Sequence, residues 1–148
     1  MPSIIPSYVY TLFASMVVGA MLTVAFSISA LSIKQEAEEQ QLRSLAEYFA
    51  TESCELATMT TADNSTANLN LDVPSFVGNQ RYWVQLGNDS SSAWVEIGYG
   101  TIPHATMRQV LIPTKVSASG TYISGSGPAI LQCYRQETAI CLNLSGGS

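Results

Sequence analysis

Three cysteines, one histidine and three Asn-x-Ser/Thr triplets are the residues whose type and spacing could do chemistry. Cys133 and Cys141 lie symmetrically about Glu137. In an antiparallel hairpin turning there, they face one another. Directly opposed cysteines come close enough to bridge, so the spacing predicts a disulfide between Cys133 and Cys141 and an oxidising compartment. A bridge from Cys54 to either of them is the second arrangement, and three free thiols the third. The triplets begin at Asn64, Asn88 and Asn143 and fit the N-glycosylation acceptor pattern. In the same register Asn143 shares a face with both cysteines, away from Ile140, Leu142 and Leu144.

His104 is the only histidine and stands in a loop, so no metal site can be built from a histidine pair. The chain contains no CxxC, HExxH, P-loop or GxSxG motif. No catalytic residue, cofactor or metal is expected, and the protein reads as a non-enzyme. Glu36, Glu38, Glu39, Glu47, Glu52 and Glu55 fit a solvated helix face better than a cation site. Trp83, Trp94, Tyr82 and Tyr99 fit cross-strand packing; a sugar- or ligand-binding platform is the rival use.

The elements that position these residues follow from charge and periodicity. Only 11% of the residues are charged, and 6 Lys+Arg against 11 Asp+Glu leave a net charge of -5. A basic nucleic-acid binder is excluded, because phosphate neutralisation needs clustered Lys and Arg. A disordered acidic tail is excluded by the 47% hydrophobic content. No charged residue precedes Lys34. The apolar run 4–33, with its core at 8–31, exceeds the ~20 residues a spanning helix needs. Tyr8 and Tyr10 stand near one end, where aromatic rings favour the headgroup region. A buried core helix and a signal peptide cleaved after Ala30 are the rivals. The first is shorter as a rule, and the second has a basic start and a shorter apolar core.

Residues 34–60 continue the helix in amphipathic form, giving one near-continuous helix of about 50 residues at helical periodicity. Leu42, Leu45, Ala46, Phe49, Ser53, Leu56 and Ala57 form its apolar-to-small stripe. Glu39 and Arg43 are spaced for an i,i+4 ion pair. Ser15, Gly19, Thr23 and Ser27 recur every four residues, a row that permits close helix–helix packing in an apolar medium.

A polar linker at 61–66 leads to period-2 alternation over 67–148. Strands are expected at 67–73, 82–86, 95–99, 107–112, 115–119, 121–124, 129–135 and 138–144, with a hairpin across 87–92. The fold class is α+β: a long N-terminal transmembrane or assembly helix, then a small antiparallel β-sheet or β-sandwich head. Lys34 and Arg43 flank the C-terminal side of the apolar run, against the positive-inside rule. The cysteines and triplets outweigh that count and place the β domain outside the cell.

This layout resembles archaeal type IV pilins and archaellins over the whole chain. The resemblance implies a structural filament subunit. Its partner would be itself, polymerising through 8–31 with Ser15, Gly19, Thr23 and Ser27 as the contact row. Membrane lipid would hold the helix before assembly, and the glycosylated β domain would form the outer surface. The chain begins Met-Pro-Ser-Ile-Ile-Pro, without the charged leader of that family. An uncleaved, anchored chain is similar instead to the single-span stator components of the archaellum. Such a module would bind cell-envelope or S-layer components without polymerising.

Overall fold

The computed structural model describes residues 4–63, 65–101, 103, 108–137 and 139–147. His104 and Asn64 lie outside the described residues. The chain divides into two units, Met1–Ala37 and Glu38–Ser148.

One helix, α1 (Ile4–Asp63), runs for 60 residues and enters both units. Its only proline, Pro6, falls in the first turn, where a missing N–H costs no intrahelical bond. The helix continues through the first half of the expected linker and ends at Asp63.

Within Glu38–Ser148, Leu42, Ala46, Phe49, Ser53, Leu56 and Thr60 alternate at spacings of four and three, and all are buried. That spacing keeps one stripe facing a partner layer. The partner is a sheet of seven strands: β1 (Ala67–Leu71), β2 (Tyr82–Asn88), β3 (Ala93–Tyr99), β4 (Arg108–Ile112), β5 (Ser117–Ile123), β6 (Ala129–Gln136) and β7 (Ala139–Gly146). The strand order is β1-β6-β7-β5-β2-β3-β4. Every pairing is antiparallel except β5 with β7. Leu71, Tyr82, Val84, Leu86, Val95, Ile97, Tyr122, Leu131, Leu142 and Leu144 close the core with the helix stripe. The architecture is α+β with the helix as the second layer, so a β-sandwich is not formed.

The expected hairpin across 87–92 is present: Asn88 pairs with Ala93, and Asp89 accepts the Ser91 and Ser92 main-chain N–H groups at 2.7 and 2.8 Å. The expected break at Gly120 is not. β5 runs through it and changes partner there, pairing 117–120 with β7 and 121–123 with β2. Gly120 makes this step at φ 111°, which other L-residues rarely adopt. A methyl group there would strike the Leu144 main chain. Gly120→Ala is therefore expected to destabilise the head by more than about 1 kcal/mol, measured as a lower urea midpoint.

The last hairpin corrects the disulfide expectation. Gln136 pairs with Ala139, so Cys133 faces Leu142 and Cys141 faces Tyr134. With Glu137 at φ 56°, the connection is one residue tighter than a turn centred on Glu137. A shift of one residue moves a strand's side chains to the other face. Cys133 is buried in the helix-side core, whereas Cys141 is half-buried on the outer face with Asn143. All three cysteines are free thiols, and Cys54 lies 3.2 Å from the Thr114 hydroxyl.

The ion pairs also differ from expectation. Arg43 Nε reaches forward to Glu47 Oε1 at 2.9 Å, and Glu39 instead meets Arg108 of β4 at 3.7 Å.

Candidate functional site: an uncovered apolar helix segment

The N-terminal unit contains the feature that most needs explaining. Residues 8–33 carry no charge and every one is exposed. Their large side chains, among them Phe13, Met16, Met21, Leu22, Phe26 and Leu31, point outward on all sides of the helix. A helix that is apolar all round requires a membrane or a large core. Among the described residues this is the one helix long and apolar enough to cross a membrane, and none of its apolar window is buried.

Ser15, Gly19, Thr23 and Ser27 form the expected row, and their polar atoms are already satisfied. The hydroxyl of Ser15 donates to the Leu12 carbonyl at 2.9 Å, that of Thr23 to Gly19 at 2.9 Å, and that of Ser27 to Thr23 at 2.8 Å. The row therefore presents a low, polar-quiet strip, and nothing stands within 4 Å of the position a Gly19 Cβ would take. Such a strip admits a neighbouring backbone without leaving an unpaired hydroxyl in an apolar medium.

A second surface was not anticipated from the sequence. Ala20, Met21, Val24, Ala25 and Ile28 line a shallow apolar groove of about 410 Å³. At 100° per residue its centre lies roughly 150° round the helix from the row. The signal was present in Ala20 and Ala25, small residues flanked by long ones on one face. The segment thus offers two distinct packing surfaces, on nearly opposite sides.

No family model, curated protein or solved structure matches this chain.

The remaining sequence-derived candidates are dispersed. Asn88 ends β2 and is exposed. Asn143 lies within β7, half-buried between Gln132 and Ser119 of the neighbouring strands. Cys133 and Cys141 point to opposite faces. The aromatic platform does not form: Tyr82 and Tyr99 oppose each other on the helix side, and Trp83, on the other face, is 1% exposed. Trp94 is half-buried, its indole lying over Gly87 and donating to Glu96 Oε1 at 2.8 Å. Among the described residues no group of three His, Cys, Asp or Glu is placed to hold a metal ion.

Burial raises the pKa of several groups in the head. It pushes the Cys133 thiol up, against the opposing pull of a hydrogen bond with Thr60, and pushes the Tyr82 and Tyr122 phenols up as well. These groups ionise in the unfolded chain first. Their contribution to stability is complete below the ordinary thiol value and is lost as pH climbs through the raised folded values. Urea midpoints are therefore expected to hold near pH 7 and to fall progressively above about pH 8.5 to 10, where free thiols and phenols titrate.

Proposed function

We propose that the protein is a structural subunit that assembles with copies of itself through residues 8–31, as type IV pilin-like filament subunits do, with the β domain on the outside. The observation that carries this reading is the apolar helix segment exposed on every side, with a small-residue row and an apolar groove on nearly opposite faces. One surface would serve a dimer. Two surfaces let each helix pack between two like neighbours, which is what a continuous bundle requires. Before assembly, lipid would cover the same residues. The exposed Asn88 is the better glycan acceptor of the two described candidates, because Asn143 is hemmed in within its strand.

Detergent extraction followed by electron microscopy tests the proposal. Filaments of uniform diameter are expected. Discrete detergent-bound particles would replace it with the anchored, stator-like module that binds an envelope partner.

A further inference from the structure

The seven-stranded sheet ends in two edges, β1 beside β6 and β4 beside β3, and no further strand among the described residues pairs with either. An open edge offers a row of main-chain donors and acceptors, and natural proteins blunt it with lysines, prolines or bulges. Within β1 and β4 there is no lysine, proline or bulge. β1 reads Ala-Asn-Leu-Asn-Leu and pairs with β6 in unbroken register. β4 pairs equally regularly with β3, and its single charge, Arg108, is directed to Glu39 on the helix.

The two edges also match. Each is five residues long. On the helix side lie Ala67, Leu69 and Leu71 of β1 and Val110 and Ile112 of β4. On the other side lie Asn68 and Asn70, and Gln109 and Leu111. Their directions are opposite: β4 runs from Arg108, beside Glu39, toward Thr114, beside Cys54. β1 starts at Ala67, opposite Cys133, whose thiol is bonded by Thr60 near the helix end. Two copies pointing the same way therefore bring β4 and β1 together antiparallel. Full overlap sets Leu69 against Val110 and Asn70 against Gln109, which keeps each face continuous across the seam. Beside β4 a groove of about 410 Å³, lined by Ala50, Cys54, Val110 and Pro113 with Glu47 and Thr51 of the helix also bordering it, leaves room for the incoming Ala67 and Leu69. The same seam covers Leu111, now 63% exposed.

We infer that β4 of one copy pairs with β1 of the next, joining the heads into a continuous sheet. The inference rests on the filament reading and adds a second, head-to-head interface to it. Because the two edges differ, a row of joined copies of any length keeps one free β1 edge at one end and one free β4 edge at the other, and the contact is open-ended.

The test uses the full-length chain under assembly conditions, with Cys54→Ser and Cys141→Ser removing the half-exposed thiols. Asn70→Cys and Gln109→Cys, both at exposed positions, are added together and separately. Cysteines opposed across an antiparallel seam lie within bridging distance. Mild oxidation is expected to turn the double variant into a reducible ladder of multimers with loss of the monomer band. Each single variant has no cysteine opposite its own across the seam and is expected to stay monomeric, and in no case to pass beyond a dimer. Two further pairs, Asn68→Cys with Gln109→Cys and Asn70→Cys with Leu111→Cys, read a seam displaced by two residues either way. An unchanged thermal melt before oxidation shows that a variant has kept its fold. Filaments whose subunits remain monomeric on the gel with all three pairs overturn the edge pairing and leave helix-driven assembly standing. Single-chain detergent particles in place of filaments overturn both.

Discussion

Chains carrying Met21→Arg are expected to disappear from the membrane and from assemblies, while their β domain melts as before. Met21 lies near the middle of the apolar run and is 67% exposed. An arginine at the centre of a spanning helix costs about 2.5–3.5 kcal/mol on insertion scales, on the order of a 100-fold shift in the partition. In a bundle the same charge would fall in the apolar groove beside Val24 and Ala25, where nothing can pair with it. The residue belongs to the N-terminal unit, whereas the core that holds the sheet begins at Leu42. Membrane fractionation and filament yield should therefore collapse with no change in the head's melting temperature. Gln41→Arg, at an exposed position on the polar stretch, should behave as the parent. Equal fractionation of Met21→Arg and parent would show that residues 8–31 are not the contact with lipid or with like helices.

The second large effect is expected at Phe49. Its side chain is 0% exposed. Its ring packs against Tyr122 of β5 at a centroid distance of 6.5 Å and against Tyr48 at 6.2 Å. Truncating a buried phenylalanine costs about 3–5 kcal/mol, the lost transfer energy plus the cavity left behind. That is a large share of the 5–15 kcal/mol typical of a whole domain. Phe49→Ala should lower the melting temperature of the head by on the order of 10 °C or more. Thr51→Ala, two residues on and exposed, should leave it nearly unchanged. A Phe49→Ala melt within a degree or two of the parent would mean that the amphipathic half of α1 is not the second layer of the fold.

Much of this architecture was legible in the residues. The absence of charge before Lys34, the four-and-three spacing of Leu42, Ala46, Phe49, Ser53 and Leu56, and the alternation in 82–86 and 95–99 each follow from a burial period. The hairpin at 87–92 was legible because Gly, Asn, Asp and Ser cluster between two alternating runs. What was not legible depended on choosing between partners. Centring the last turn on Glu137 brought cysteine to cysteine but opposed Gln132 to Leu142, a polar side chain to an apolar one. The observed register sets Gln132 against Asn143 and Leu131 against Leu144. Face matching between the strands was the better signal, and it outweighs the attraction of a symmetric cysteine pair. The parallel contact of β5 with β7 is non-local, and no periodicity within either strand reports it. Gly120 looked like punctuation because a glycine between short strands usually is; here its positive φ lets one strand serve two partners. Of the candidate site, the row from Ser15 to Ser27 could be seen at i,i+4 spacing. The groove behind it left only Ala20 and Ala25 as a trace in the sequence, and its outline required the side chains in place.

The strand order has a consequence for how the molecule is made. β7, the last of the described strands, sits between β6 and β5. Without it, the pair β1-β6 and the group β5-β2-β3-β4 share no ladder. A polypeptide delivered stepwise from a ribosome or a translocation pore therefore holds two separate half-sheets until residues 139–146 emerge. Closure of the head waits for β7, and a nascent chain stalled before that point exposes the flanks that β7 would have joined.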